Sequence, residues 1–378
     1  MLKIIEVNTK KQLKQFIEFP NVLYKNCPYY VPSLYLSEKW TLSKKNPFFE
    51  HSQIALFLAS NNNQVVGRIV AIYNKTHLDI YKDKTGFFGF FDAINDIEVA
   101  CELFNASFNW LKSKGLTSMM GPTNLTTNDS CGILIDGFNQ QPMVSMPYNF
   151  DYYADLIETY GFRKTMDLFS YHIDGSAVEY KYKNTLERSY ENLAKNNISI
   201  RSLSTKNFDE DLAKLRPAYN NCNEHNWGFM PLNMAEFKAL ANDLKMIAPL
   251  DLAIVAEKDN QIIGFIIAIP NINQALKHVK RGKLLPFGFL KLLWYKRKVN
   301  SGRILILGLL NEYSGMGIDL VLYKKIKEAL NYHGIYTAEA CYILDSNYQM
   351  NSILKKLDAQ CVKKYRIYSI NNANNQNS

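Results

Sequence analysis

The sequence predicts a mixed α/β fold, α+β with mixed sheets, made of two similar domains in tandem, and three observations carry this. Asn63–Asn74 reads NQVVGRIVAIYN and Asn260–Asn271 reads NQIIGFIIAIPN, with seven identities in twelve positions and Val/Ile exchange among the rest. Gly161–Ile173 (GFRKTMDLFSYHI) and Asp358–Ile370 (DAQCVKKYRIYSI) stand at the same offset of 197, aligning Tyr171 with Tyr368 and Ile173 with Ile370. A chain of 378 residues is also long for one hydrophobic core, since single cores stop growing at roughly 250–300 residues. The copies are expected at 1–175 and 199–370, joined by a linker or helix over 176–198. The tail 371–378, NNANNQNS, has nothing to bury and is expected to be disordered.

Each repeated segment follows a strand-like apolar run (IALFLAS, LAIVAEK) and a polar turn, so each copy holds a β-hairpin rich in β-branched residues. Phe87, Phe88, Phe90 and Phe91 then read as a buried strand, or as walls of a long apolar pocket. A helix follows in each copy: IEVACELFNASFNWLKSKG in the first, GIDLVLYKKIKEALNYHG in the second. Leu320, Leu322, Ile326 and Leu330 give the three-to-four spacing, and Gly115 and Gly334 are placed as C′ residues. The strands LTSMMGP and IYTAEACYIL come next. The helices stand 219 residues apart, so the second copy has gained about 22 residues ahead of its helix. The first copy regains that length after its strand, within Gly121–Pro142.

The second copy's extra segment makes the charge of the chain. Of 44 Lys and Arg, nine lie between Lys277 and Arg303 with no acid among them, leaving 35 basic against 35 acidic residues elsewhere. That distribution argues against a nucleic-acid binder, whose cations would cover a face. Within it, LLPFGFLKLLWYKRK (Leu284–Lys298) mixes Leu, Phe, Trp and Tyr with cations, as an interfacial membrane segment does. Lys280, Arg281, Lys283, Phe287, Phe289, Trp294, Lys296 and Arg297 are its candidate contacts with an anionic membrane; the alternative is a loop or helix packed on the core with a solvated basic face. No apolar run reaches the roughly 18 residues that span a bilayer, and MLKIIEVNTKK lacks the apolar core of a signal peptide. The expected location is the cytoplasm, with peripheral contact on the inner face of the membrane. Six scattered cysteines without a CxxC pair, and histidines without ligand spacing, predict free, mostly buried thiols and no metal.

The two copies differ where an anion would bind. Strand RILILGLL runs through Asn311-Glu312-Tyr313 into Ser314-Gly315-Met316-Gly317 and then the helix, so backbone N–H groups can face a pyrophosphate at the positive end of the helix dipole. The other reading of these glycines is a tight turn. At the aligned place the first copy has Asn95-Asp96-Ile97-Glu98, whose carboxylates repel a phosphate and cap the helix instead.

With Glu312-Tyr313-Ser314-Gly315-Met316-Gly317 between strand and helix, the pattern resembles the GNAT acyltransferase superfamily, whose loop is usually Arg/Gln-x-x-Gly-x-Gly/Ala; here Glu312 stands at the Arg/Gln position. The strings NPFFEHSQIALFLA, GFFGFFDAIND, NDSCGILIDGF, MPYNFDYYADLIETYGF and ILDSNYQMNSILKKLDAQ resemble a group of bacterial two-domain GNAT-like proteins. The resemblance implies an acyl-CoA, acetyl-CoA or acyl-carrier-protein donor and no metal. Leu309, Leu310 and Asn311 would splay and pair with pantetheine, Ser314, Gly315, Met316, Gly317 and Ile318 would hold the pyrophosphate, and Asn347 would lie near the pantetheine. Where many members carry the Tyr that protonates the thiolate, this chain has Leu354. The reaction implied is N-acylation of a primary amine, of sphingoid type in bacterial ceramide formation, or of a small molecule; a non-catalytic scaffold is the contrasting reading.

Candidate chemistry falls on the strand and turn after the helix. Glu339, between Ala338 and Ala340, is a base raised by burial or a salt-bridged glutamate. Asp345 is a second acid/base or a helix N-cap; Tyr342 replaces the missing acid or packs in the core. Cys341 reads as packing. In the first copy Asn128 and Asp129, in a dense polar run, bind an acceptor amine or close Asx turns. Tyr148, Asn149 and Tyr153 line an acceptor groove or begin a capped helix.

Overall fold

Residues 1–174 and 182–371 are described by the structure, a computed structural model, so the start of the expected linker and residues 372–378 of the expected tail lie outside them. The first copy runs β1 (Leu2–Glu6), α1 (Lys10–Leu23), α2 (Tyr35–Thr41), β2 (Ser52–Asn61), β3 (Gln64–Asn74), α3 (Lys75–Tyr81), β4 (Thr85–Ala93) and α4 (Ile97–Ser113). It continues through β5 (Ser118–Gly121), β6 (Ile133–Asp136), α5 (Tyr153–Tyr160) and β7 (Arg163–Asp174). The second copy has α6 (Lys183–Lys195), β8 (Ser199–Ser202), α7 (Phe208–Asn223), α8 (Met234–Ile247), β9 (Ala253–Lys258) and β10 (Gln261–Pro270). After α9 (Asn273–Leu276) and α10 (Gly288–Lys296) come β11 (Ser301–Leu309), α11 (Ile318–Tyr332), β12 (Thr337–Leu344), α12 (Tyr348–Lys356) and β13 (Gln360–Asn371).

The repeat is visible at the level of turns. Asn62 and Asn63 between β2 and β3, and Asp259 and Asn260 between β9 and β10, all have φ between 49° and 65°. Two-residue turns with both φ positive match the twist of a hairpin, which is why Asn and Asp stand there. β7 and β13, each twelve residues, start 197 positions apart. Gly115 and Gly334 sit one residue past the helix C-caps Lys114 and His333.

The chain divides into two units: Met1–Leu168 with Asn273–Lys296 and Lys363 onward, and Phe169–Ile272 with Arg297–Val362. The first has strand order β1-β2-β3-β4-β5-β13, with β6 also on β13. The second has β8-β9-β10-β11-β12 completed by the Phe169–Asp174 part of β7. Each unit therefore takes its last strand from the other copy. β4 with β5 and β11 with β12 are parallel; β1–β2, β2–β3, β3–β4, β5–β13, β6–β13, β8–β9, β9–β10 and β10–β11 are antiparallel.

Burial follows the alternation of strands. In β9, Ile254 and Ala256 join the core under α11 with Ile266, Ile318, Val321, Leu322, Ile326 and Leu330, while Ala253 and Val255 join the core of α7 and α8 with Leu212, Leu215, Phe237 and Phe265. Leu320, expected on the buried stripe, is only half-buried; Ile318 and Val321 take that face. In the first unit Phe88, Phe91, Phe104 and Phe162 pack ring on ring with centroids 4.7–6.4 Å apart. The Phe87–Phe91 run is thus core. The six cysteines form no disulfide, but only Cys131 and Cys341 are buried, fewer than expected; Cys27, Cys101 and Cys222 are half-buried and Cys361 is exposed.

Candidate acyl-donor site and the first unit's counterpart

The parallel register of β11 with β12 runs from Ser301↔Thr337 to Ile304↔Ala340 and goes no further, although both strands continue, to Leu309 and Leu344. On its other side β11 pairs Ile304 with Ala268 and Ile306 with Ile267, leaving Leu305 as an extra residue. A bulge bends a strand and increases its twist, and this one falls where β11 and β12 part. The seam opens from Leu305, earlier than the expected Leu309–Asn311. Leu309 is still registered with Gly264, and the Leu310 N–H donates to the Ile263 carbonyl at 2.9 Å, so these two are tied to β10. Asn311 begins a 3-10 turn, Asn311–Tyr313.

Beyond that turn, Gly315 and Gly317 have φ of +78° and +81°. A Cβ at Gly317 would lie 2.0 Å from Ser189 Oγ of α6, whereas one at Gly315 would meet nothing within 4 Å. The loop is pressed against α6 at one glycine and open at the other. Gly317 is the N-cap of α11, and no side chain caps that helix start. Ser314 is exposed, Met316 half-buried and Ile318 fully buried, so Ile318 anchors the helix in its core and offers only backbone to a ligand. Exposed Glu312 and half-buried Asp319 of the first turn disfavour an anion here, against the uncapped N–H groups that favour one.

The first unit has the same seam, filled. β4 and β5 are registered from Thr85↔Ser118 to Phe87↔Met120 only, and the β3–β4 register shifts between Arg68↔Asp92 and Val70↔Gly89, beside Phe90 with φ +49°. There the chain occupies its own opening. Thr123 N–H donates to the Phe88 carbonyl at 2.8 Å, Asn124 Oδ1 accepts from Phe90 N–H at 2.9 Å, and a Cβ at Gly89 would lie 1.8 Å from the Thr123 carbonyl oxygen. Asp96 caps α4, accepting from Glu98 N at 2.9 Å and Val99 N at 3.5 Å. In the second unit the segment after β12 turns into α12 instead, with Asn347 N–H donating to Leu344 O at 3.0 Å. Asp96 was legible as a cap; the Thr123–Asn124 plug was not, because it depends on register.

Glu339 lies inside the registered stretch, opposite Arg303, on the face away from core residues Ala338 and Ala340. It is buried, and Ser170 Oγ donates to its Oε2 at 2.6 Å. Arg303, also buried, donates from Nε to the Cys341 carbonyl at 3.1 Å and sits 5.6 Å from the Tyr342 ring centroid. Half-buried Tyr342 and Asp345 belong to the open stretch and the turn after it. The cap of α12 is Asn347, which accepts from Met350 N at 3.0 Å, and not Asp345. Leu354 is fully buried in the second core. Sequence reading missed Asn351: it accepts from Tyr171 OH at 2.8 Å and donates to the carbonyls of Leu344 and Asn347 at 2.9 Å, tying the end of β12 to α12.

The acceptor candidates of the first copy are mostly used by the fold. Asp129 Oδ2 accepts from Thr126 Oγ1 at 2.7 Å and Thr126 N at 3.1 Å, and Asn128 N donates to Thr126 Oγ1 at 3.2 Å, a self-closed turn. Tyr153 OH, wholly buried, bonds Tyr24 OH at 2.8 Å and Asp92 Oδ1 at 3.2 Å. Tyr148 OH donates to Phe138 O at 3.1 Å and borders a pocket of about 470 Å3 with Leu23, Cys27, Tyr29 and Phe150. Buried Asn149 accepts from Leu134 N at 2.7 Å and donates to Leu134 O at 3.0 Å and Phe150 O at 2.8 Å. Asn149→Ala should therefore cost about 2–3 kcal/mol, orphaning buried backbone groups, with donor affinity unchanged; urea unfolding beside calorimetry checks this. Sequence reading also missed a buried cluster: Arg68 Nε donates to Asp92 Oδ2 at 2.8 Å and Arg68 Nη1 pairs with Glu38 and donates to Phe16 O at 3.0 Å.

Asn273–Lys296, which holds most of the basic segment, belongs to the first unit, while Arg297 onward belongs to the second with β11. Lys283 pairs with Glu18 at 2.5 Å and lies 5.8 Å from the Tyr35 ring centroid, and Arg303 is buried, so neither is a free surface cation. Lys280, Arg281, Phe287, Phe289, Trp294, Lys296 and Arg297 are exposed. Among the described residues no helix is long and apolar enough to cross a membrane.

A bulged strand parting from its neighbour, a Gly turn and an uncapped helix, with a plugged second version of the same arrangement, define a tandem GNAT fold. Solved structures agree: a tandem GNAT protein from the clavulanic acid biosynthesis pathway covers 98% of this chain and 99% of its own at a TM-score of 0.58 with 9% identity. A GCN5-related N-acetyltransferase from Anabaena variabilis covers 97% of this chain and 72% of its own at 0.51 with 8% identity. No family model matches. Protein YghO of Escherichia coli K12 is 34% identical over 95% of this chain and 93% of its own, and the bacterial ceramide synthase of Caulobacter vibrioides is 32% identical over 97% of each. The chain belongs to the family of these two proteins, a tandem GNAT family.

Proposed function

We propose that this chain is an N-acyltransferase that uses an acyl-CoA or acyl-carrier-protein thioester and acylates a primary amine of lipid-like, sphingoid type. The observation that supports it is the contrast between the units: one seam is plugged by Thr123 and Asn124 and leads to a helix capped by Asp96, while the other leads to the uncapped start of α11. A donor would lay its pantetheine along the β11 edge left by β12 from Leu305 on, with its pyrophosphate at Gly315–Gly317. The amine nitrogen attacks the thioester carbonyl, the C–N bond forms as the C–S bond breaks, one proton leaves nitrogen and one reaches the thiolate. Tyr342 is assigned as the proton donor because it stands in the open stretch, held beside Arg303. Glu339, two positions before the opening and bonded to Ser170, helps hold that part of β12 in place. The lipid-like acceptor rests on the ceramide synthase relative.

Purified protein incubated with palmitoyl-CoA and sphinganine, read by mass spectrometry, should yield the N-acyl product and free CoA, and Tyr342→Phe should lower kcat more than KM. No product with sphinganine but acetylation of small amines from acetyl-CoA would move the reading to a small-molecule acetyltransferase. No turnover with any amine, with CoA or carrier-protein thioesters, would leave a binding scaffold.

A further inference from the structure

We propose that the turn and helix from Leu285 to Trp294 form a docking face for an anionic lipid bilayer, built onto the first unit; this stands independently of the acyl-transfer reading. Six large apolar side chains are displayed within ten residues: Leu285 is 83% exposed, Phe287 67%, Leu290 63%, Trp294 62%, Phe289 50% and Leu293 47%. On α10, Leu290 and Trp294 are one turn apart, as are Phe289 and Leu293, so they form adjoining stripes of one face. An apolar patch of this kind marks an interaction surface.

The segment is mounted firmly. Gly282, with φ +63°, would place a Cβ 1.8 Å from Ser33 O, and a Cβ at Gly288 would lie 2.0 Å from Lys283 O, so the backbone closes in at both glycines. His278 stacks on Tyr295 with centroids 3.6 Å apart, Lys283 pairs with Glu18, and Asn273 Nδ2 donates to the carbonyls of Pro142 and Met143 at 3.0 and 3.1 Å. With both flanks tied down, the apolar stripes point outward by construction.

Charge identifies the occupant. Exposed Lys280, Arg281, Lys291, Lys296 and Arg297 flank and interleave the apolar residues along the chain, and no acid occurs from Lys277 to Arg303. Aromatic and aliphatic groups entering the acyl boundary while cations meet anionic headgroups is what such a bilayer requires. A second copy of the same face would bring five cations against five, a repulsion that disfavours self-association through it.

The test uses the full chain in flotation with vesicles of phosphatidylcholine, alone or mixed with phosphatidylglycerol. Wild type should float with the mixed vesicles, and brominated acyl chains should quench a fluorescence component that Trp294→Phe removes. Phe287→Ser with Leu290→Ser, and separately Lys280→Glu with Lys291→Glu and Lys296→Glu, should each weaken partition at least about tenfold at unchanged melting temperature. Failure of wild type to float, insensitivity of flotation to either set, or a dimer in sedimentation that the apolar pair dissolves would overturn the proposal.

Discussion

Gly315→Glu should weaken CoA binding at least about 100-fold, a loss of about 2.7 kcal/mol, while the protein stays folded. Nothing lies within 4 Å of the added Cβ and Gly315 is exposed, so the main cost to the fold is that of a non-glycine residue at φ +78°. That cost is about 1–2 kcal/mol, a lowering of a few degrees in melting temperature. The carboxylate would stand at the helix start that the proposal gives to a pyrophosphate; two like charges about 5 Å apart at an effective dielectric of about 20 repel by about 3 kcal/mol per pair. Gly315→Ala carries the same backbone strain without the charge and should bind CoA within a few-fold of wild type. Titration calorimetry with CoA on the three proteins decides the matter: equal affinity for the Glu and Ala variants would remove the pyrophosphate from this loop.

Arg68→Ala should destabilise the protein by about 3–5 kcal/mol, measured by urea unfolding. Arg68 is buried against Asp92 and Glu38, with its guanidinium 5.0 Å from the Phe16 ring centroid. Burial pushes the Glu38 carboxyl up, and Arg68 is the main opposing influence. Without Arg68 that upward shift grows. A carboxyl whose folded pKa lies above its unfolded value, roughly 4.3, is favoured in the folded state when protonated, and this advantage is lost as pH rises through the folded pKa. The deficit of Arg68→Ala should therefore be smaller in mild acid than at alkaline pH. Asp92 also accepts from Tyr24 OH at 2.9 Å, and burial first, then Asp92, holds the Tyr24 phenol well above its usual pKa, so it stays a donor. Arg68→Met combined with Asp92→Leu and Glu38→Leu should recover much of the loss, because removing all three charges leaves none unpaired. No recovery would mean that the cluster shapes the unit beyond its charges.

Both variants probe features of different legibility. Gly315 and Asp96 could be read directly, because a helix start is decided by the few residues around it: a cap needs an acceptor within three residues of the N–H groups, and a positive φ needs Gly or Asn. The hairpin turns at Asn62-Asn63 and Asp259-Asn260 are local in the same sense. Arg68, Asp92 and Glu38 gave no such signal, since residues tens of positions apart become partners only once α2, β3 and β4 are packed. Asn149 and Asp129 show the limit from the other side. Their residue types suit ligand binding and backbone bonding equally, and only the placement of Leu134 and Thr126 shows that the fold uses them.

By itself, then, the sequence determined the duplication, the alternation of strands and helices, and which copy keeps a bare helix start, because hydrophobic period, turns and caps act over a few residues. Tertiary structure alone decided three things. The bulge at Leu305 opens the seam in one unit, and Thr123 with Asn124 closes the corresponding seam in the other, both through strand register. Most of the basic segment, which follows β10 of the second unit, settles on the first through Asn273 and Lys283. The two last strands exchange units, and no local pattern could have shown it: β7 and β13 have the same length and share apolar residues at Leu168/Tyr365, Tyr171/Tyr368 and Ile173/Ile370, so length and local pattern do not say which sheet each completes.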